Sequence, residues 1–421
     1  MQQTELLRRV FDAAVAAVAP EQLIPAALAK IKDQGPAVVL GAGKGAAAMA
    51  AAFRAAWRGP VRGFVVTRYE HGLKAGEDTG AIEIVEAGHP SPDEASVSAG
   101  RKLLEYASNH RSDEQLFFLV SGGGSALAAV PAEGIAFADK RAAANHLMHS
   151  GANIAEINCV RKHLSALKGG RLAVAAHPAR FTTLAISDVP GDDIADIASG
   201  PTIPDPSTQA DAIRILQKFA YPKLADLMPV LGNPAFETPG AADPAFENNR
   251  FEVIGSASVA MAAAANLLRT EGYEVLELGD DIDEDAQDLA RAHAVLAAET
   301  LRQGKRTAIL SGGETRVTIR NTNGRGGRNL VYLSRLALEL DGSAGVFALA
   351  ADTDGIDGHG GHAGGFVTPG MLELGRERAV DLNRLLSGDD SYTFFDACDL
   401  LITTGPTRTN VNDFRLILCH P

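Results

Sequence analysis

Cysteine is scarce: Cys159, Cys398 and Cys419 are the only three in 421 residues. They are far apart, odd in number and not in CxxC spacing, which fits a reducing compartment and argues against a disulfide framework or a zinc site. Positive charge is also short. The 39 Lys and Arg against 52 Asp and Glu leave a formal net charge of −13. Such a surface repels polyanions, so nucleic-acid partners are not expected, while a few focused cations can still attract small anions. No apolar run approaches the ~18 residues needed to span a bilayer, so no membrane partner is expected. Arg8-Arg9 before Val10-Phe11 superficially suggests a twin-arginine signal, but Asp12 breaks the apolar stretch that should follow. Leu6, Leu7, Val10, Phe11, Ala14, Val15 and Val18 instead recur at the spacing of an amphipathic surface helix. The chain reads as cytoplasmic.

A Gly-X-Y period is missing as well, which excludes collagen although glycine is abundant at 43 residues. The hydrophobic share of 46% and charged share of 22% exclude a mainly disordered chain. The length predicts two or three domains with a core large enough to need no staples.

Short, almost continuously apolar runs alternate with helical patterns through the first half. The runs are AVVL (37–40), GFVVT (63–67), IEIV (82–85), LFFLV (116–120) and TTLAIS (182–187). Helices are expected over 46–57, 93–108, 138–150 and 162–176. This rhythm predicts βαβ units and a parallel sheet covered on both faces. Residues 229–250 carry four prolines and little periodicity and read as a linker or excursion. The α/β texture resumes with FEVIGSA (251–257), YEVLEL (273–278) and TAILSGG (307–313), and RVTIR (316–320) suggests a hairpin after the Gly-Gly-Glu turn. The carboxylates at 280–288 read as the dipole-complementing start of a helix over 284–303.

The glycines concentrate in loops. Gly41-Ala42-Gly43-Lys44-Gly45-Ala46 lies between a strand and a helix, where backbone N–H groups can meet an anion. It also matches a loose GxGxxA dinucleotide fingerprint. The acidic residue expected at the end of the second strand is missing, since that strand ends in Thr67-Arg68, but Arg68 can bind the 2′-phosphate of NADP, so the dinucleotide alternative stays open. Ser121-Gly122-Gly123-Gly124-Ser125 follows LFFLV and can ring an oxyanion with N–H groups. It departs from a GxSxG nucleophile elbow at Ala126-Leu127, so phosphate or carboxylate binding is the preferred reading. Arg161, Lys162, Lys168 and Arg171 concentrate positive charge, and three of them can share a helix face. Asp188, just past a strand, can take a substrate proton or hold Mg²⁺, and Asp193 is a second metal candidate. Arg325 and Arg328 in Gly324-Arg-Gly-Gly-Arg-Asn329 suit the charge on a transferring phosphoryl group. Asp352-Thr-Asp354-Gly-Ile-Asp-Gly358 lacks the closing Glu of a calcium loop; contact with a Mg²⁺–nucleotide and a plain carboxylate-rich turn both remain open for it.

Taken in order, these blocks resemble the glycerate 2-kinase family with a C-terminal MOFRL domain. The carriers are GAGKGAAAMA (41–50), GHPSPD (88–93), SGGGSAL (121–127), INCVRKHLSALKGGRLA (157–173), SDVPGDD (187–193), IASGPTIPD (197–205), SGGETRVTIR (311–320), GRGGRNL (324–330), DTDGIDG (352–358) and TNVND (409–413). The resemblance implies an α/β chain of two domains. A Rossmann-like parallel-sheet domain would cover 1–235, a MOFRL-type α/β domain 245–421, and the active site would lie in a cleft between them. It implies transfer of phosphate from ATP, with Mg²⁺, to the 2-hydroxyl of D-glycerate in a monomer or homodimer. Lys44, Asp188 and Arg325 are the expected catalytic residues. Gly43, Ser121, Gly122, Gly123, Gly124, Ser125, Arg161, Lys162, Arg328, Asp352 and Asp354 are the expected binding residues. The chain departs from the family at Leu330, where Gln is usual, and at the acidic stretch 280–288. Some relatives are labelled hydroxypyruvate reductases, which leaves NAD(P)H-dependent reduction as the alternative. A non-enzymatic glycerate sensor is a third class, less compatible with so many cationic and carboxylate loops.

Overall fold

The computed structural model describes residues 2–321 and 323–421. They form two compact units, one of residues 20–254 and one of residues 1–19 with 255–421. The division differs from the expected one at 235–245 in two places. The first helix, Gln2–Ala17, belongs with the C-terminal residues. The proline-rich stretch is no linker: it folds into the helix Leu224–Leu231 and two short turns, Pro234–Phe236 and Pro244–Phe246, capped by Asn233 and Asp243.

The unit 20–254 is built on six strands: β1 (Ala37–Ala42), β2 (Val61–Arg68), β3 (Ala81–Ala87), β4 (Gln115–Val120), β5 (Phe181–Ile186) and β6 (Arg250–Gly255). Their order is β3-β2-β1-β4-β5-β6. The pairings among β1 to β5 are all parallel. This is the strand order of a doubly wound dinucleotide-type sheet, whose direction of winding reverses between β1 and β4. Every residue of β1 is buried, as the unbroken apolar runs require of a sheet covered on both faces. β6 had read as the start of the second domain; it extends this sheet beside β5 instead.

Two other expectations fail locally. The helix over 162–176 is two pieces, Ile154–His163 and Arg171–Ala176. Gly169 and Gly170 stand between them with φ of +58° and +82°, a left-handed pair that no α-helix contains. Arg161, Lys168 and Arg171 therefore do not share a helix face. The RVTIR stretch forms no hairpin; Arg316 makes only an isolated bridge to Asp285.

In the unit 1–19 with 255–421, the sheet is mixed. Its strands are β7 (Glu274–Glu277), β8 (Thr307–Gly313), β9 (Val346–Asp352), β10 (Gly364–Val367), β11 (Leu401–Ile402) and β12 (Asp413–Cys419), in the order β11-β10-β9-β12-β8-β7. β12 is antiparallel to both β8 and β9, and only β7 and β8 pair in parallel. The acidic stretch works as a cap: Asp285 accepts from the N–H groups of Gln287 and Asp288 at the start of the helix Ala286–Arg302. Leu330, the departure from the family pattern, is fully buried in the core of this unit. The first helix buries Leu6, Leu7, Val10, Phe11 and Ala14 on one face, as its spacing predicts. With its successor it gives a stretch, Gln2–Leu28, long and apolar enough by length and mean hydropathy to cross a membrane, which the sequence reading had not identified. The stretch is divided into two helices, Gln2–Ala17 and Pro20–Leu28.

One ion pair ties the amino ends of β2 and β4. Arg62 donates from Nε and Nη2 to the two oxygens of Glu114, both at 2.8 Å, and the Glu114 side chain is only 2% exposed. The Arg62 hydrogen bond holds the Glu114 carboxyl down at about 2 from an ordinary 4.5, against the opposing effect of burial. A carboxyl depressed in the folded state adds stability above its unfolded value and loses it as pH falls through its folded value. Arg62→Gln should therefore lower stability at neutral pH, by at most ~3 kcal/mol. The gap to wild type should close as pH falls from about 4.5 towards 2. Urea melts at stepped pH would check this, and a gap independent of pH would refute it.

Candidate active site

The two glycine loops meet at the reversal point of the first sheet, the edge where open α/β sheets bind ligands. β1 runs into Gly43-Lys44 and β4 into Ser121–Ser125. The Lys44 N–H donates to the Gly122 carbonyl at 2.8 Å, and the Gly45 N–H donates to Ser121 Oγ at 2.9 Å. Space is the reason for glycine here. A Cβ on Gly43 would lie 2.2 Å from Ser121 Oγ, and one on Gly123 would lie 2.8 Å from the His89 ring. That same Gly123 Cβ would stand 3.4 Å from Lys44 Cγ, so the lysine stem passes over the glycine backbone. Among the described residues, the N–H groups of Gly122 and Gly123 have no acceptor. A half-buried lysine thus stands over N–H groups available to an anion, the donor set that phosphate oxygens require.

Ser125, at the far end of the loop, belongs to a polar chain. Lys168 Nζ donates to the carbonyl and Oγ of Ser125. Ser125 Oγ lies 3.0 Å from Ser199 Oγ, and Ser199 Oγ donates to Asn158 Oδ1 at 3.3 Å. Asn158 Nδ2 donates to Asp196 at 3.0 Å. Ser199 has φ of +61°, in a left-handed run with Ala198 and Gly200. The run is held by Gly169 N–H to Ser199 O and Gly170 N–H to Gly200 O. Burial pushes the Lys168 ammonium well below the usual lysine range, helped by the positive charges of Lys140 and Arg161.

The remaining expected residues of this unit divide. Lys162 is buried against Asp205 at 3.3 Å, so its charge is consumed by an internal pair and the expected binding role is not supported. Arg161 is half-buried. Asp188 stands half-buried just past β5. Asp193 is exposed and spends Oδ1 on the Ala195 N–H at 2.9 Å, a turn-closing role. No group of three or more His, Cys, Asp or Glu suited to a metal exists among the described residues. Mg²⁺ held with phosphates needs only one or two carboxylates, so this does not bear on Asp188.

In the other unit, Arg325 and Arg328 occupy different settings. Arg325 is exposed, with its guanidinium 4.3 Å from the centre of the Tyr392 ring. It borders a cavity of about 470 Å³ with Arg320, Asn321, Val331, His359 and Leu386. Arg328 is spent on structure. It reaches Glu314 at 2.6 Å, Asp352 at 3.0 Å and Asp413 at 3.2 Å. These carboxylates hold its guanidinium above the usual arginine range, although burial pulls the other way. Arg328, expected as a ligand-binding residue, is thus engaged by three carboxylates. Asp352 is tied to Arg328 and accepts from the Asp354 N–H, and Asp354 accepts from the Ile356 N–H, as successive turn closures.

Sequence reasoning missed His89, Asn158 and Ser199. Each lies in a quoted block, but their meeting depends on contacts between distant segments. Only the left-handed Ala-Ser-Gly run beside the Lys-Gly-Gly turn could have hinted at an ordered corner.

A lysine thus stands between interlocked glycine loops at the reversal point of a doubly wound sheet, the edge where α/β enzymes bind their ligands. Comparison with known proteins narrows the class. Residues 6–229 match the model described as a domain of unknown function, DUF4147, and residues 307–413 match the MOFRL family. The chain belongs to this DUF4147–MOFRL family. A protein of Agrobacterium vitis named "Putative hydroxypyruvate reductase" is 46% identical over 98% of this chain and 94% of its own length. The D-glycerate 2-kinase of Thermotoga maritima is 34% identical over 97% of this chain and 96% of its own. A crystal structure of glycerate kinase from Thermotoga maritima superposes with a TM-score of 0.88, at 34% identity and 99% coverage of both chains.

Proposed function

We infer that the protein is a glycerate kinase that transfers the terminal phosphate of ATP to the 2-hydroxyl of D-glycerate. The observation that carries this reading is the interlocked loop pair, in which Lys44 and the Gly122 and Gly123 N–H groups converge on space for an anion. Phosphoryl transfer needs positioning and charge neutralisation more than covalent chemistry, and this corner supplies both. Lys44 holds and neutralises the phosphoryl oxygens. The family resemblance carries Arg325 as a further cation for the transfer. Asp188 orients the attacking hydroxyl or takes its proton. Bound Mg²⁺ would screen the nucleotide phosphates, with Asp188 as its protein ligand.

A second reading, NAD(P)H-dependent reduction of hydroxypyruvate, is favoured by the dinucleotide-type strand order and by the printed name of the Agrobacterium vitis relative. Against it, β2 ends in Thr67-Arg68, and the Thr67 hydroxyl is spent on the Lys44 carbonyl at 3.2 Å. No acidic residue ends that strand for the ribose of NAD, which leaves only NADP, with Arg68 for its 2′-phosphate.

The test is a ³¹P NMR time course with ATP, Mg²⁺ and D-glycerate. A growing 2-phosphoglycerate resonance with matching ADP is expected. A 3-phosphoglycerate resonance would overturn the position of transfer. No transfer, together with NADPH oxidation by hydroxypyruvate, would establish the reductase instead.

A further inference from the structure

The unit 20–254 holds a concentration of positive charge that the phosphate corner does not use. Lys140, Arg161, Lys168 and Arg171 lie close enough to act on one another's charge. Three of them have partners. Lys140 donates to the Val130 carbonyl at 2.9 Å. Arg171 donates to the Lys162 and Phe236 carbonyls and feels Asp205 and Glu237. Lys168 is held by Ser125. Arg161 differs: its guanidinium has no hydrogen-bond or ionic partner among the described residues. Burial alone lowers it, and no carboxylate counters that effect.

Position says where Arg161 points. It lies three residues after Asn158 on the helix Ile154–His163, hence on the same face. That face meets Ser199 through Asn158, and Ser199 meets Ser125 and so Lys168. An unpaired, desolvated guanidinium near enough to a buried ammonium to act on its charge is costly unless an anion completes it. The left-handed Ala198–Gly200 run is the kind of backbone strain that accumulates at ligand clamps.

We propose that Arg161, backed by Ser125 and Lys168, receives the carboxylate of the hydroxy-acid substrate. This rests on the glycerate-kinase reading. A planar guanidinium fork matches a carboxylate with two parallel hydrogen bonds, and the phosphates already have the Lys44 corner. The loop Ser121–Ser125 then serves the acid at its Ser125 end and the phosphate at its Gly122–Gly123 end.

The test is Arg161→Gln, with Ser125→Ala as a second variant should the first fail to fold. Arg161→Gln should raise KM for D-glycerate by about 10- to 100-fold and leave KM for ATP within about twofold. Ser125→Ala should raise KM for D-glycerate by about 5- to 10-fold. Arg161→Lys should recover part of the loss, because it restores charge without the fork. An unchanged KM for D-glycerate, or a rise confined to ATP, would overturn the proposal while leaving the kinase intact. If the wild type transfers no phosphate, the kinase reading falls. Calorimetric titration with D-glycerate and hydroxypyruvate then decides the carboxylate site by itself. Binding by wild type that Arg161→Gln abolishes supports it; equal binding, or none to wild type, overturns it.

Discussion

Lys44→Ala is expected to lower kcat by about 100- to 1,000-fold while leaving the melting temperature within a degree or two of wild type. The separation follows from how Lys44 is held. Two of its contacts are made by the backbone, the N–H donated to Gly122 and the carbonyl that accepts the Thr67 hydroxyl. Alanine keeps both. What it removes is the cation over the Gly122–Gly123 backbone, and with it the charge that balances a phosphoryl group in flight. Because that charge matters most in the transition state, kcat and kcat/KM should fall together, with KM for ATP moving less. A loss confined to KM would make Lys44 a ground-state anchor. Wild-type turnover would remove it from the mechanism. Steady-state kinetics with a coupled ADP assay, beside a thermal melt, distinguishes the three.

The loops around Lys44 were legible in the sequence because their determinants are local. A fully apolar run followed by glycines marks a buried strand ending in a tight loop, and both β1 and β4 show it. The strand order placing those loops side by side is not local, and only the sheet reveals it. The same distinction explains the errors. The Lys168–Arg171 segment has helical residues on both sides, yet two left-handed glycines stop the helix, and their N–H groups donate to the Ser199 and Gly200 carbonyls. β6 has an ordinary strand sequence; its sheet is decided by the β5 edge available to it. Lys162 and Arg161 are adjacent and alike on paper. One turns into Asp205 and the other remains unpaired, and nothing in residue type foretells which.

Arg325 and Arg328 are a second such pair, and here the consequence is large. Arg328→Ala should destabilise the unit 1–19 with 255–421 by about 3–5 kcal/mol, visible as a fall of roughly 10 °C in its melting transition. The Asp352 and Asp413 side chains are 6% and 0% exposed, so water cannot replace the lost guanidinium. Arg415 does not compensate. It is committed to Asp413 at 3.3 Å, to Ser311 at 3.3 Å and to the Gly312 carbonyl, and it is itself buried. Arg328→Lys should recover only part of the stability, since one ammonium cannot reach three carboxylates as the fork does. Arg325→Ala, by contrast, removes an exposed side chain whose protein contacts are a stacked tyrosine ring and a 3.4 Å bond to Thr393. It should melt within about 1 °C of wild type while turnover falls. Differential scanning calorimetry of the two variants separates them. An Arg328→Ala protein that melts normally but is inactive would return Arg328 to the ligand-binding set, and an Arg325→Ala protein with full turnover would take Arg325 out of it.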